Sequence, residues 1–171
     1  KTPSESLSEL LGTMGMELDK LDLSTSGGIP VDANCLVLYS PTRDLTPHEA
    51  SLITAYLNGG GSLMLNTSPE VVESCPNLNS VVAIFGLTAQ KGLVQEGDTS
   101  FISGNQYTLV PTVSTQHAAT AYVTSGGFKP QLPNCHAIGV AEKLPEGVTV
   151  TPLFTTSDKA VTVSLDKSVT L

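Results

Sequence analysis

Asn34-Cys35-Leu36-Val37-Leu38-Tyr39-Ser40-Pro41, then Thr46-Pro47-His48-Glu49, then Gly59-Gly60-Gly61-Ser62-Leu63-Met64-Leu65-Asn66: between residues 34 and 69 the chain spells a strand, a helix and a second strand with their boundaries marked. The apolar run from Cys35 to Tyr39 is closed by Ser40-Pro41, the pattern of a strand covered on both faces. Thr46 is placed to cap a helix, Pro47 suits its first position, and Glu49 can complete a capping box. Leu52, Ile53, Tyr56 and Leu57 share one face of that helix, and the three glycines stop it. Strands joined by so compact a helical crossover run parallel, and the crossover is right-handed. The expected fold class is therefore α/β, with this unit inside a mainly parallel sheet that carries helices on both faces, three layers α/β/α.

Outward from that unit, Thr2-Pro3-Ser4-Glu5 repeats the capping logic, and Leu7, Leu10, Leu11 and Met14 recur at helical spacing up to Gly15. Residues 16–23 alternate apolar and charged side chains, which predicts a strand near a sheet edge. Residues 69–73 suit a helical turn, 79–85 a helix ended by Gly86, and 87–94 a strand. Turn signals at Gly97-Asp98 and Gly104-Asn105 flank Phe101-Ile102 and Tyr107-Thr108-Leu109-Val110, so a hairpin or an irregular excursion fits. Residues 115–122 suit helical turns ahead of Gly126-Gly127, while 137–140, 149–154 and 161–165 are β-prone. Without a repeat, a low-complexity tract or a linker, residues 1–171 read as a single domain.

Composition narrows the function classes. A formal charge of -8 with only 8 Lys and Arg, nowhere clustered, argues against nucleic acid and anionic membrane surfaces, both of which need cationic patches. With 18 Ser and 20 Thr but 14% charged residues, the surface is polar and weakly charged, which suits an extracytoplasmic domain. No apolar run approaches a membrane span, and Lys1-Thr2-Pro3-Ser4-Glu5 lacks the apolar segment of a signal peptide. Any targeting or anchoring segment is then expected outside this sequence. Of the three cysteines, Cys35 is expected to be buried and inert in its strand, closed to thiol reagents. Cys75 with Cys135 is the one pairing considered.

Several phrases, in order, resemble the extracytoplasmic domain of the gliding-motility type ABC-transporter auxiliary proteins, the GldG-like family. They are Leu21-Asp22-Leu23, Ile29-Pro30-Val31-Asp32, the run from Cys35 to Pro41, Asp44-Leu45-Thr46-Pro47-His48-Glu49, Tyr56-Leu57-Asn58-Gly59-Gly60, His117-Ala118-Ala119-Thr120 and Thr151-Pro152-Leu153-Phe154-Thr155-Thr156-Ser157. Ala118 replaces the proline of the family's His-Pro-Ile-Thr phrase, and a strand usual in the family before the first helix is absent. The resemblance implies a flavodoxin-like or glutamine-amidotransferase-like sheet in a domain excised from a longer, membrane-anchored protein on the extracytoplasmic face. It implies a non-enzymatic role in ligand sensing or complex assembly beside an ABC permease or another membrane component. In such a sheet the missing strand is central, and residues 161–165, a second copy of the chain in a homodimer, or direct pairing of the strands at Met16 and Cys35 would fill its place.

Ligands of open α/β sheets lie beyond the carboxyl ends of the strands. That edge places Thr42, Arg43, Asp44, Thr67 and Ser68 as candidate ligand contacts for a small molecule or glycan, with His117 added by its family phrase. Arg43 beside Asp44 also reads as a solvated loop ion pair, and His117 as a structural hydrogen-bonding group. The alternative function is a hydrolase or amidotransferase using Ser68 at a strand-to-helix turn, yet Ser68 lacks the flanking glycines of a nucleophile elbow, and Pro69 reads as a helix start. The histidines and cysteines show no metal-ligand spacing. Gly59 to Gly61 follow a helix instead of opening one and so make no phosphate cradle. No cofactor is expected.

Overall fold

A computed structural model describes residues 5–165 of the chain; the expected cap at Thr2-Pro3-Ser4 lies outside them. The chain divides into two compact units, one comprising residues up to Thr67 with Ser74–Val81, the other Ser68–Glu73 with the chain from Val82 onward.

The first unit opens with α1 (Glu5–Thr13). Its apolar positions recur at helical spacing, but Leu10 within it and Met14 just beyond its end are 57% and 62% exposed. β1 (Cys35–Tyr39), α2 (Pro47–Asn58) and β2 (Ser62–Asn66) then form the expected strand–helix–strand unit. β1 and β2 pair in parallel from Cys35 opposite Ser62 to Tyr39 opposite Asn66. Thr46 and Glu49 make the reciprocal capping box, Pro47 opens the helix, and Ala50, Ile53 and Leu57 are buried. At its far end the amides of Gly59, Gly60 and Gly61 donate to the carbonyls of Ala55, Leu57 and Tyr56, each at 3.0 Å. A Cβ on Gly61 would strike the Tyr56 ring. The Tyr56 hydroxyl donates to Ala33 O and accepts from Ser62 N, both at 3.2 Å, tying the start of β2 to the loop ahead of β1. Next in the chain come α3 (Pro69–Ser74), which falls in the second unit but for Ser74, and α4 (Pro76–Ala83), which buries Leu78 and Val81.

The three-layer, mainly parallel sheet is not there. β1 and β2 are the single parallel pair among the described residues, in a sheet of two strands. The remainder of the chain builds β3 (Leu87–Ala89), β4 (Leu93–Gln95), β5 (Ile102–Ser103), β6 (Asn105–Leu109), β7 (Thr112–Val113), α5 (Ala121–Ser125), β8 (Leu132–Pro133), β9 (Ile138–Val140), β10 (Phe154–Thr155) and β11 (Val161–Val163). All of their ladders are antiparallel: β3 with β9, β4 with β11, β5 with β6, β6 with β8 and β7 with β10. A parallel return needs a crossover of a dozen or more residues, and α5, the α-helix of this stretch among the described residues, has 5. The strands of 2 to 5 residues turn back on one another instead. Leu93, Val94 and Leu109 supply the buried centre of this second unit, with Val71 and Val72 of α3.

Other expectations fail for local reasons. Residues 16–23 form no strand, because the alternation changes phase between Leu18 and Leu21. The Asp22 carboxylate also folds back onto Ser24 N at 2.9 Å and Ser24 Oγ at 2.6 Å. The strand expected over 87–94 breaks into β3 and β4 at Gly92, whose φ is +99. Cys35 is exposed, not buried, because β1 has a ladder partner on one side alone among the described residues. Cys75 and Cys135 are both free thiols, the first buried. Residues 161–163 do not complete the β1 sheet but pair with β4.

Candidate functional site

The carboxyl ends of β1 and β2 carry the predicted site residues of the first unit. Ser40 turns the chain out of β1 with φ 43, a left-handed conformation uncommon outside glycine. Its amide donates to Asn66 O at 3.0 Å and its hydroxyl to Asn66 Oδ1 at 3.3 Å, which locks the two strand ends together. Thr42 is exposed beyond that turn.

Arg43 and Asp44 are not an ion pair. Arg43 grips Glu49 with its two terminal nitrogens, Nη1 at 2.9 Å and Nη2 at 2.7 Å, and Nη1 also donates to the carbonyl of Asp44 at 2.9 Å. Glu49, 4% exposed, also accepts from Thr46 N at 2.7 Å. The Arg43 guanidinium and then the Thr46 amide hold the Glu49 carboxyl far below its ordinary 4.5, at about 2. A two-pronged, charge-assisted contact of this kind positions the β1–α2 loop more firmly than a single point charge would.

Asp44 faces the other way, onto the start of α4. Its Oδ1 accepts from Leu45 N at 2.9 Å and Leu78 N at 3.0 Å, and its Oδ2 from Asn77 N at 3.0 Å and Asn77 Nδ2 at 2.8 Å. Asp44 thus caps a helix that begins more than thirty residues later, satisfying amides that have no partner within that helix. Burial pushes its carboxyl up, but the amides of Asn77, Leu78 and Leu45 outweigh that and leave it lowered.

The depressed Glu49 carboxyl gives a pH signature. Its contribution to stability is complete above the ordinary value of 4.5 and is lost as pH falls through about 2. After screening through the exposed Arg43, the contribution amounts to about 1–2 kcal/mol. In urea titrations, Glu49→Gln is expected to be less stable than the parent chain at neutral pH, with the gap closing between pH 4.5 and 2. An equal gap at both ends of that window would exclude the ion pair as its source.

Ser68 and His117 belong to the second unit. Ser68 precedes α3, its carbonyl accepting from Val72 N at 3.1 Å, so it occupies a helix start. His117 Nδ1 accepts from Ala119 N at 3.1 Å and caps the 3₁₀ turn Ala118–Thr120, a structural hydrogen bond. The buried Thr120 hydroxyl lies 2.6 Å from Ser114 O and 2.8 Å from His117 O. Thr67 ends the first stretch of the first unit, after β2.

Sequence reading missed the charged cluster of the second unit. Glu96, 2% exposed, accepts from Ser157 Oγ at 2.5 Å, Ser157 N at 3.1 Å and Asp98 N at 2.9 Å. Lys159 Nζ bonds Asp98 at 2.8 Å, and Gly97 packs so closely on Lys159 O that a Cβ would come within 2.7 Å. The Lys159 ammonium, then the Ser100 amide, hold the Asp98 carboxyl at about 2. A serine on a buried carboxylate has the look of a nucleophile and its base. Burial pushes the Glu96 carboxyl up, yet the Ser157 hydroxyl and the amides of Asp98, Ser157 and Gly97 leave it lowered, which makes it a weak base. Ser157 Oγ also accepts from Lys159 N at 3.1 Å, so its hydroxyl serves as a loop clamp. Gly97-Asp98 marks a turn in the sequence, but no local signal joins Glu96 to a serine 61 residues away.

No protein-family model, curated protein or solved structure matches the chain. Among the described residues, no helix is long and apolar enough to cross a membrane.

Proposed function

We propose that the chain is a non-enzymatic assembly domain that acts through protein contacts, in the setting of an extracytoplasmic ABC-type transport system. The observation that carries the assembly role is how its strongest polar groups are used. Arg43, Asp44 and Glu49 in one unit and Glu96, Asp98, Ser157 and Lys159 in the other hold helix starts and loops of this chain. Catalysis by acid, base or nucleophile needs such groups aimed at a substrate position, and here they close on themselves. The order of phrases from Leu21 to Ser157 supports the transport setting.

The test is co-expression of the tagged chain with ABC permease and ATPase subunits from the same source, followed by purification through the tag. Recovery of the permease with the chain is the expected result. Hydrolytic or amidotransferase turnover by the purified chain that Ser68→Ala abolishes would replace this reading with an enzymatic one.

A further inference from the structure

We propose that β1 pairs, antiparallel and about a twofold axis, with β1 of a second copy of this chain, giving a four-stranded sheet in the order β2-β1-β1-β2. This goes beyond the assembly role above and does not depend on the transport setting. A two-stranded sheet is marginal by itself, and parallel strands are ordinarily covered on both faces. β1 has β2 as its one ladder partner among the described residues. Leu36, Val37, Leu38 and Tyr39 are nevertheless half-buried in succession, as in an interior strand, whereas β2 alternates between exposed and half-buried.

Among the devices that guard natural edge strands are charge, proline and a bulge. β1 has none of these: its sequence is Cys-Leu-Val-Leu-Tyr and its register to β2 is unbroken. The missing charge also selects the occupant. In an isologous contact every residue meets its own symmetry mate or a near neighbour, so a charge on the strand would meet its like. A chain of net charge -8 can meet a copy of itself through an uncharged segment, and β1 is the most apolar such segment with an unpaired edge among the described residues. With the axis at Val37, Cys35 of one copy lies opposite Tyr39 of the other. Directly opposed residues have Cα atoms about 4.5–5.5 Å apart, within disulfide range. The two Cys35 residues are offset by four positions, about 13 Å, outside it.

Tyr39→Cys, made with Cys135→Ala and with the buried Cys75 retained, is expected to form a covalent dimer in most of the chain under mild oxidation. The same chain with Tyr39 intact is expected to remain mostly uncrosslinked. Equal cross-linking of the two, or none in either, would overturn the proposal. A nitroxide on Cys35 of the Cys135→Ala chain gives a readout that needs no change at Tyr39. Dipolar coupling at a label separation of about 10–25 Å, growing with protein concentration, is the expected result. A chain that stays monomeric and shows no coupling at millimolar concentration would refute self-pairing and leave the β1 edge to a strand of another protein.

Discussion

Asp44→Ala is expected to destabilise the first unit by about 2–4 kcal/mol, read as a lower urea midpoint for the loss of helical signal. The substitution removes one side chain but strips the acceptor from Leu45 N, Asn77 N, Asn77 Nδ2 and Leu78 N together. Leu78 is 1% exposed, so little water reaches its amide to replace the carboxylate, although Asn77 beside it is half-buried. A charged acceptor at a helix N-terminus also gains from the partial positive charge of the exposed amides. Asp44→Asn keeps one acceptor oxygen and sets an NH₂ group against the remaining donors, so its cost should fall between those of the parent chain and the alanine variant. A loss below about 1 kcal/mol for Asp44→Ala would mean that Asn77 finds other partners and that the cap is incidental.

The same residues show how far the candidate site can be read from the sequence. Arg43 and Asp44 are neighbours at the predicted strand end, and that placement holds. Their roles diverge because an exposed loop ion pair is worth little, while each side chain has a better partner. For Arg43 the partner is Glu49, six residues on, and the capping box already fixes that glutamate. For Asp44 it is a helix start thirty-three residues on, which a single sequence does not bring near. Glu96 and Ser157 are likewise joined only by the folded chain.

The fold divides along the same line. Thr46, Pro47, Glu49 and the three glycines specify α2 through contacts within a few residues, and the helix forms where they place it. The parallel pairing of β1 and β2 follows, because one crossover of this length leaves little choice. Extrapolating from that unit to a whole parallel sheet fails, since each further parallel strand needs its own crossover. The chain beyond Gly86 holds glycine turns at Gly92, Gly104 and Gly127 instead. Residues 16–23 fail for want of a pairing edge in phase with both halves of their pattern. The Cys35 thiol is exposed for a related reason: an apolar run predicts a buried strand where further strands flank it, and β1 pairs on one side among the described residues.

The second large effect is expected at one of those turns. Gly92 links β3 to β4 with φ +99, and a Cβ there would collide with the carbonyl oxygen of Val163 and come within 3.1 Å of Thr162 Cγ2. Both neighbours belong to β11, which is held to β4 through Thr162 opposite Val94 and Val163 opposite Leu93. Since Leu93 is fully buried, β4 has no room to retreat, and the strain falls on the β4–β11 ladder. Gly92→Ala is therefore expected to cost about 2–4 kcal/mol, part from the left-handed backbone and part from the collision. Gly104→Ala separates the two parts. Its φ is +78 in the β5–β6 turn, and nothing lies within 4 Å of an added Cβ, so it pays the backbone term alone, about 1–2 kcal/mol. Hydrogen exchange should show the β11 amides losing protection in the first variant and keeping it in the second. Equal losses of stability, with β11 protected in both, would mean that backbone conformation and not the close approach of β11 makes Gly92 necessary.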